Sequence, residues 1–468
     1  MATGRINPMH PRDVTCSPGF RATAIGEYPA LAESRAYARL FGWLCFGTWR
    51  CAHTGALMIP AALLAHFERR DHLLGWGNYV GQSYLDAFSR DVAAITLGPW
   101  SGTAGVCRTV KGVDFAPAVD DAIKAELASF HYCQERVYLE DGRPVNAKRL
   151  RTVREECRAG ALERMADAQC QDAARWLRYL NSLKPHRFTK ILDNMAAAHA
   201  AAWELPDPES RRHALNLLMA IWNQPIPFYQ PSPRGRTVRI FGYTESMLGL
   251  KKSVRRALTP DWVELDLKSS QASIIARDWD IPSLQAFLAD GGDLWRHLMD
   301  GLDITDGGSA KRPLKEAFYA TVFGMEERNI AWMLSHEFGQ HGFGRRFLNL
   351  PLVQDILKAR KRQMESVTRD GGANDCYGRR IALSEECDAR SVLAQCTQAM
   401  EMMLLTPVLD MAEASTGKSG FSVVLYQHDG FSMVSHKAED EEHWVTRLQE
   451  AVSNQAEALG YETRLERQ

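Results

Sequence analysis

The chain has 468 residues, of which 45% are hydrophobic and 24% are charged, an ordinary composition for a protein of about two to four domains. Its formal net charge of -1 provides no overall attraction to phosphate, so any nucleic-acid surface must be a local basic patch. The ten cysteines include no C-x-x-C pair, which argues against a zinc ribbon and against a disulfide framework.

The N-terminal part gives no indication of secretion or membrane insertion. The opening sequence MATGRINPMHPRD lacks the charged-then-apolar layout of a secretory signal. No stretch reaches about 18 uninterrupted apolar residues, because the most apolar region, 40–67, is broken by charged residues and proline. We therefore expect a cytoplasmic protein that does not enter a membrane. The other features of residues 1–120 indicate no particular fold or role.

Residues 121–235 have a mostly helical pattern, in which charged residues recur beside Leu, Met, Trp and Ala. Closely spaced prolines in PIPFYQPSPRGR, residues 225–236, end this pattern. From 236 to 468 short strands alternate with longer helices, which predicts an α+β unit that reaches the C-terminus. The sequence therefore predicts three segments, 1–120, 121–235 and 236–468, with the chemistry in the last.

Two runs in this last part are strongly basic. The run from Arg234 to Arg256 holds seven Lys or Arg and one Glu, and the run from Arg345 to Arg362 is similarly basic. Charge runs are usually solvated faces, so these runs do not establish a nucleic-acid site on their own.

The first segment that carries chemistry is VELDLKSSQASIIA, residues 263–276. The alternation at its start predicts a strand with Val263, Leu265 and Leu267 on one face and with Glu264 and Asp266 on the other. Asp266 is thus expected on a rigid element. A single carboxylate on a polar strand face is usually only solvated, so Asp266 alone is weak evidence of metal binding.

The second segment is FSVVLYQHDGFSMV, residues 421–434, in which two β-rich runs flank an Asp-Gly pair. This pattern predicts a hairpin, because glycine supplies the positive φ that a tight turn needs. The hairpin would carry His428 and Asp429 at or near its tip. Asp before Gly is also ordinary turn chemistry, so the hairpin in isolation does not indicate a catalytic site.

The third segment is KRPLKEAFYATVFG, residues 311–324, where Lys311, Lys315, Tyr319 and Phe323 recur every four residues and share a helix face. Pro313 is tolerated within a first turn, so we expect the helix to begin just ahead of it and to point its positive dipole end toward the lysines. Two lysines followed by two aromatic rings suit a triphosphate next to a flat base. The alternative is an amphipathic helix that begins with basic residues.

The combination of these segments is more informative than any one of them. Phosphoryl transfer with two metal ions needs carboxylates from separate strands, because two Mg²⁺ ions about 3.5 to 4 Å apart activate a hydroxyl and steady the leaving group. Mg²⁺ takes few protein carboxylates, since phosphates and water supply its other ligands, so two aspartates suffice. A cation near the leaving phosphate completes the electrostatics.

In their order, the three segments resemble motifs A, B and C of the family A DNA polymerases and of the related phage-type single-subunit RNA polymerases. Motif B of that family reads R-x3-K-x3-F-x3-Y-G, and the same register here contains Lys311, Lys315, Tyr319, Phe323 and Gly324. The family's R-x3-N-x3-Q helix before motif C corresponds in register to Arg390, Ala394 and Gln398.

Two further patterns extend the resemblance, which covers about residues 236 to 468. Asp293-Leu294-Trp295 is similar to the family's D-I-H beside the triphosphate, and Lys251 to Leu258 is similar to the basic strand that leads into the palm. The resemblance implies a right-hand polymerase of α+β class, with an antiparallel palm sheet and helical fingers in 236–468 and a helical thumb in 121–235. Residues 1–120 would form an N-terminal region of unknown fold.

The resemblance also implies roles for individual residues. Asp266 and Asp429 would bind two Mg²⁺ ions, for which Mn²⁺ is an alternative, and Lys315 would contact the phosphates and protonate pyrophosphate. The residues that bind the nucleoside triphosphate would be Lys311, Lys315, Tyr319, Phe323, Gln271 and Trp295. The residues that bind the DNA primer-template would be Arg255, Arg256, Arg390, Gln398 and His428.

The chain departs from the family's pattern at several of these positions. Gln271 stands where DNA-making members have glutamate and RNA-making members have glycine, so the choice of sugar is open. Phe323 replaces a tyrosine that takes part in sugar discrimination, and Gly430 follows the motif C aspartate as in the RNA enzymes. Trp295 and Ala394 replace a phosphate-contacting histidine and a duplex-contacting asparagine.

The sequence thus favours a template-directed DNA polymerase and leaves two alternatives. One is a primase or a single-subunit RNA polymerase-like enzyme, and the other is a degenerate polymerase fold that binds nucleic acid as a replication factor. The first 235 residues contain no D-x-E with suitable partners, so we expect no proofreading exonuclease. The small size suggests a phage, plasmid or other mobile-element protein that works with replication proteins of that element.

Overall fold

The computed structural model describes residues 14–47, 57–60, 82–101, 107–129, 135–232, 237–243, 245–305, 307–385, 387–415 and 419–468. The opening 13 residues, much of the apolar region 40–67 and residues 234–236 of the first basic run lie outside these ranges. Thirteen strands lie in the described part: β1 (Thr15–Cys16), β2 (Leu57–Pro60), β3 (Ala94–Ser101), β4 (Cys107–Asp114), β5 (Val137–Tyr138), β6 (Tyr229–Pro231), β7 (Ile240–Gly242), β8 (Val263–Leu267), β9 (Gly372–Asn374), β10 (Arg380–Ala382), β11 (Phe421–Tyr426), β12 (Gly430–Ser435) and β13 (Leu465–Arg467).

Helices make up most of the remaining regular structure. In chain order the described α-helices are α1 (Pro18–Glu27), α2 (Ala30–Glu33), α3 (Arg35–Phe46), α4 (Gln82–Asp91), α5 (Pro117–Ala128), α6 (Ala147–Glu163), α7 (Gln171–Asn181), α8 (Thr189–Asp193), α9 (Met195–Trp203), α10 (Pro208–Asn223), α11 (Lys252–Leu258), α12 (Ser270–Asp278), α13 (Pro282–Ala289), α14 (Leu294–Asp300), α15 (Gly307–Val322), α16 (Glu327–Glu337), α17 (Phe343–Leu348), α18 (Pro351–Asp370), α19 (Ala389–Leu404), α20 (Thr406–Ala414) and α21 (Glu441–Leu459). The mixture of helices with small antiparallel sheets agrees with the expected α+β class.

The chain divides into two units. The first comprises residues 1–163, 181–230 and 242–261, and the second comprises 164–180, 231–241 and 262–468. The first unit contains an antiparallel sheet in the order β2-β4-β3 and the pair formed by β1 and β5. This division draws residues 164–180 of the expected thumb segment into the second unit, so the assignment of palm, fingers and thumb stays a prediction.

A four-stranded antiparallel sheet, in the order β11-β12-β8-β13, forms the centre of the second unit. The strand predicted at the start of the segment 263–276 is β8, and it lies between β12 and β13. Its apolar residues Val263, Leu265 and Leu267 are buried, as its alternation predicts. An apolar core formed by the helices between α12 and α19 holds the rest of this unit together.

Helix α11 corrects one prediction. Residues 251–258, which resemble a basic strand, form a helix instead, in which Val254 and Leu258 are buried. These two residues are spaced four apart and share a helix face, while the basic residues between them are good helix formers. Local helical periodicity therefore outweighs the likeness in composition.

The second basic run, residues 345–362, has a partly structural role. Arg346 donates to the backbone carbonyl of Leu302, Arg360 to that of Thr321 at 2.7 Å, and Arg362 to that of Trp279. These carbonyls lie at or near the ends of helices or in the loops that follow them, where intrahelical donors are lacking. The run therefore stabilises the second unit, and its positive charge is not all available to a ligand.

One described segment, Ala389–Ala414, is long and apolar enough to cross a membrane by length and composition, with a hydropathy of 1.2. It comprises α19 and α20, and 67% of its most apolar window is buried inside the protein. A mostly buried core helix has the same properties, so this segment is weak evidence for a membrane span.

Candidate active site

Asp266 and Asp429 lie at the same end of two neighbouring strands of the second unit. In the pairing of β8 with β12, Asp266 is opposite Gly430, the residue that follows Asp429. The backbone N–H of Leu267 donates to the carbonyl oxygen of Asp429 at 2.9 Å. The sheet thus brings together two acids that are 163 positions apart in the sequence, by the difference between 429 and 266.

The surroundings of Asp266 disfavour its negative charge. Burial and the negative charges of Asp429 and Glu401 together raise the pKa of Asp266 to about 7, while the positive charge of Lys315 acts in the opposite direction. A cation between the two aspartates would offset this repulsion and stabilise the charged form of Asp266. Lys315 is therefore close enough for its charge to act on Asp266.

The turn between β11 and β12 differs from the prediction in one detail. The hairpin forms, with residues 427–429 at its tip, but the positive φ belongs to His428, at 72°, and not to Gly430. Gly430 is needed for a different reason. A Cβ atom there would lie 2.6 Å from the backbone oxygen of Leu265 and 2.7 Å from Oδ1 of Asp266. The glycine therefore allows β12 to approach the strand that carries Asp266.

His428 is held between aromatic rings beside this centre. Its ring lies 5.2 Å from that of Phe241 and 6.2 Å from that of Tyr426, both edge-on. Burial, together with the positive charge of Arg239, lowers the pKa of His428 to about 3. Its Nδ1 is buried and makes no hydrogen bond within the described residues. A neutral imidazole with an unsatisfied nitrogen can donate to or accept from a ligand.

The basic-aromatic helix is α15, and its start corrects another prediction. The helix begins at Gly307, so Pro313 lies inside it and Lys311 is in its second turn. The sequence Gly-Gly-Ser-Ala at the start of α15 is a poor helix former, which explains why the pattern did not reveal this first turn. The lysines therefore do not lie at the positive end of the helix dipole.

Lys311 and Lys315 are both exposed on α15, Tyr319 follows them on the helix, and Phe323 is the first residue after the helix ends. The Lys315 amino group lies 5.7 Å from the centre of the Tyr319 ring, and the Tyr319 and Phe323 rings are stacked at 6.4 Å. Burial raises the pKa of Tyr319, as do the charges of Asp429, Glu401 and Asp266. The helix therefore carries three of the four predicted residues, and the charges of the three carboxylates act on Tyr319.

Trp295 and Gln271 lie in different surroundings. Trp295, in the first turn of α14, packs edge-on against Phe318 at 5.7 Å and against Tyr319 at 6.2 Å. Gln271 lies in the first turn of α12, five residues after Asp266, and its Oε1 is buried without a hydrogen bond in the described structure. Trp295 therefore packs against one side of Tyr319, whereas Oε1 of Gln271 has no hydrogen-bond donor in the described structure.

Helix α19 carries the two expected duplex contacts. Arg390 is half exposed, forms an ion pair with Asp388 at 2.6 Å, and lies against Gly324, where an added Cβ would meet its side chain at 2.5 Å. Oε1 of Gln398 accepts from the Thr237 hydroxyl at 2.7 Å. Arg255 and Arg256 belong to the first unit, on α11, and the other predicted site residues belong to the second.

The sequence analysis missed Glu401, a residue of α19 that is 1% exposed. Its carboxylate forms an ion pair with Arg239 and accepts from the Ser270 hydroxyl at 3.0 Å. The available signal was a single acid in the apolar run AMEMMLL, residues 399–405. Charged residues are rarely buried unless paired, so this acid indicated a buried partner.

The two aspartates supply the kind of ligand that Mg²⁺ or Mn²⁺ prefers, but a substrate must supply further ligands to reach the number that these ions need. No group of three or more His, Cys, Asp and Glu residues in the described structure is arranged to hold a metal ion. The two aspartates supply hard oxygen ligands, and both carboxylate oxygens of Glu401 already have partners. Such a site suits Mg²⁺, which binds through one or two carboxylates together with phosphates and water.

The chain was compared with known proteins. No protein-family model matches it, and no curated protein matches it either. Among solved structures it is similar to the POL domain of Pol1 from M. smegmatis, in complex with DNA primer-template and dNTP. The TM-score is 0.43 at 15% sequence identity, over 93% of this chain and 80% of that chain. Likeness at this level assigns neither a fold nor an activity to the chain.

Proposed function

We propose that this protein is a template-directed nucleotidyltransferase, and specifically a DNA-dependent DNA polymerase without a proofreading exonuclease. The observation that carries the proposal is the pairing of β8 with β12, which brings Asp266 and Asp429 together opposite Lys315. Two neighbouring acids can hold metal ions and a nearby lysine can neutralise phosphate charge, which are the requirements of phosphoryl transfer. The motif resemblance supports polymerisation as the reaction.

Asp266 and Asp429 would hold two divalent cations, Mg²⁺ or Mn²⁺. When bound, these ions would lower the pKa of a primer 3′ hydroxyl and stabilise charge on the leaving pyrophosphate. The protein's own contribution is to hold Asp266 on β8 and Asp429 in the turn before β12, where backbone hydrogen bonds limit their movement. The mutual repulsion of the acids favours the cation-bound state over the empty one.

The face of α15 would bind the nucleoside triphosphate. Lys315 would contact the phosphates and donate a proton to pyrophosphate, and Lys311 would support the phosphate tail. Tyr319 would lie against the base or the sugar, backed by Trp295, and Phe323 would contact the templating pair. Ammonium groups beside phosphate and rings beside a base are the favourable combinations.

The nucleic acid would lie against the other side of the centre. His428 would approach the primer terminus, Arg390 and Gln398 would contact the newest base pairs, and Arg255 and Arg256 would contact the backbone. In this proposal the four-stranded sheet is the palm, the helices around α15 are the fingers, and residues 121–235 contribute the thumb. A mobile-element replication protein that acts in the cytoplasm agrees with the size and the sequence of the chain.

Primer extension tests the proposal. The wild-type protein should extend a primer on a DNA template with Mg²⁺ and deoxynucleotides, and Asp266→Asn and Asp429→Asn should each abolish extension. Asp290→Asn, at an exposed acid at the end of α13, is the matched control and should extend as wild type does. Extension that persists in both active-site variants would refute the assignment of the acids. A protein that binds DNA yet takes up no Mg²⁺ and nucleotide in calorimetry would instead be the degenerate, non-enzymatic form.

Synthesis from ribonucleotides is a second candidate, and the buried Oε1 of Gln271 favours it. An acceptor without a hydrogen bond costs free energy, and a ribose 2′ hydroxyl could donate to it. A deoxyribose offers no such donor. If Gln271 accepts this bond, the enzyme should use ribonucleotides at least as well as deoxynucleotides.

The two candidates separate in one experiment. Parallel reactions with deoxynucleotides or ribonucleotides, each with and without a primer, give the preference and the need for a primer. A primase or RNA polymerase-like enzyme should make product from ribonucleotides without a primer. Gln271→Glu should shift the preference toward deoxynucleotides, whereas Gln271→Leu should lose the ribonucleotide preference without loss of deoxynucleotide incorporation.

A further inference from the structure

Glu401 is a carboxyl side chain in the interior of the second unit, and both of its oxygens have partners. Oε2 pairs with the Arg239 guanidinium, and Oε1 accepts from the Ser270 hydroxyl at 3.0 Å. Burial raises the pKa of Glu401, and Arg239 acts in the opposite direction. A buried carboxyl group without such partners would be strongly destabilising, so the fold depends on both contacts.

The first partner joins α19 to the segment 237–241. Two residues of α19 that are one turn apart hold this segment, because Gln398 accepts from Thr237 at 2.7 Å and Glu401 pairs with Arg239. Phe241, at the end of the segment, lies 5.2 Å from the ring of His428. The ion pair therefore fixes the element that covers the histidine beside Asp429.

The second partner joins α19 to α12. Ser270 is the first residue of α12, and it is 4% exposed. No side chain caps this helix, and the residue before it, Ser269, has a positive φ of 49°. The hydrogen bond from Ser270 to Glu401 is thus a tertiary restraint on a helix start that lacks a local one. Gln271 is the next residue, and Asp266 lies four residues earlier.

We infer that Glu401 is a positioning residue, which holds the start of α12 through Ser270 and the segment 237–241 through Arg239. The inference concerns the spacing between Gln271, His428 and the two aspartates, and its consequence for nucleotide binding rests on the proposed function. Glu401 itself acts through its two partners and contacts no substrate. Loss of the carboxylate frees both segments at once, although they are about 30 positions apart in the chain.

Amide hydrogen exchange on the full chain tests the restraint directly. Glu401→Ala should speed exchange at least tenfold in two segments, 270–274 and 237–241, and Glu401→Gln should give a smaller increase in the same segments. The matched control is Thr397→Val, which removes another buried polar group of α19, whose hydroxyl donates within its own helix to the Leu393 carbonyl in the described structure. The control should leave exchange in both segments within twofold of wild type.

Nucleotide kinetics test the consequence. Glu401→Ala should raise the KM for the nucleotide roughly tenfold with a smaller fall in kcat, because a displaced contact weakens substrate positioning. Glu401→Gln should fall between Glu401→Ala and wild type, and Ser270→Ala should raise the KM while leaving exchange in 237–241 unchanged. A purely structural role would lower the melting temperature with no change in KM.

The outcomes separate the two proposals. The inference is overturned if Glu401→Ala exchanges no faster than the control variant in both segments. It is also overturned if exchange in Glu401→Ala rises uniformly over the second unit. If Glu401→Ala does not fold, Glu401→Gln and Ser270→Ala decide the question in the same way. If the wild-type protein extends no primer, the proposed function fails, but the exchange pattern still decides whether Glu401 holds the two segments.

Discussion

At the scale of single residues, Lys315 differs from the other cations of α15 because its charge acts on Asp266. It lowers the pKa of Asp266, and its amino group lies 5.7 Å from the Tyr319 ring centre. A positive charge here can neutralise charge that develops on a transferred phosphate, and it needs no rearrangement to do so. Lys311, one turn earlier, is exposed on the same helix and can reach only a more distant part of the ligand.

We predict that Lys315→Ala lowers kcat/KM for nucleotide incorporation about 100- to 1000-fold, since it removes one preorganised charge from the transition state. Lys311→Ala should raise the KM with little change in kcat. Steady-state primer extension measures both. The control is Lys361→Ala, at an exposed lysine of α18, which should behave as wild type. Equal effects of the substitutions at 315 and 361 would contradict the assignment of Lys315.

At the scale of elements, the approach of β12 to β8 determines the geometry of the acids. We predict that Gly430→Ala destabilises the protein by roughly 1 to 3 kcal/mol, as overpacking in a well-packed site does. The added methyl group would meet Leu265 and Oδ1 of Asp266, so extension should also fall. Denaturant unfolding and primer extension are the measurements.

The control for this substitution is Gly26→Ala in α1, where an added Cβ has no neighbour within 4 Å. Alanine is a better helix former than glycine, so this variant should gain about 0.5 to 1 kcal/mol. If Gly430→Ala were as stable and as active as wild type, the close approach of the two strands would not be a requirement of the site.

Helix α12 ends at an acid whose surroundings oppose its charge. Partial burial raises the pKa of Asp278, although 33% of its side chain is exposed and bonds from Tyr461 at 2.8 Å and from Arg277 at 3.2 Å act in the opposite direction. A negative charge at a helix C-terminus is also unfavourable to the helix dipole. The pKa of Asp278 is thus higher in the folded state than in the unfolded state. At a pH above its folded-state pKa the ionised acid destabilises the fold, and at a pH below its unfolded-state pKa this cost is absent.

We therefore predict that Asp278→Asn raises the melting temperature at pH 7 and that the gain shrinks as the pH falls toward 3.8, the ordinary value for this acid. Thermal unfolding at pH 4.5, 5.5 and 7 checks the trend. Glu365→Gln, at an exposed acid in the middle of α18, is the control and should show a nearly constant difference. A gain that grew on acidification would mean that the bonds to Tyr461 and Arg277 outweigh burial.

At the scale of the whole molecule, the elements that depend on short-range periodicity could be predicted from the sequence. Strand β8 and the hairpin around His428 follow from alternation and turn residues, and the face of α15 follows from its four-residue spacing. The start of α15 was missed because Gly-Gly-Ser-Ala is a poor helix former, and the helix at 252–258 was missed because its composition resembles the family's basic strand although its local periodicity is helical. The pairing of Glu401 with Arg239 could not be predicted, since the two residues are 162 positions apart and only tertiary packing brings them together.

The net charge is also a property of the whole molecule. At -1, it gives a polyanion no general attraction, so DNA binding must come from a few local cations. Each phosphate that a Lys or Arg neutralises adds about 0.9 to the slope of log Kd against log salt. The number of such contacts is therefore measurable without a structure of the complex.

We predict that Arg256→Ala and Arg390→Ala each reduce this slope by about 0.9, because each arginine would contact a phosphate. If an arginine contacts a base edge instead, its loss should weaken binding without changing the slope. Fluorescence anisotropy with a labelled primer-template at several salt concentrations measures both quantities. Arg312→Ala is the matched control, because Arg312 is exposed and already paired with Glu316 at 2.9 Å. If neither the slope nor the affinity changes in any variant, the nucleic acid lies elsewhere on the chain, since a nearly neutral protein has no diffuse field that could replace the lost contacts.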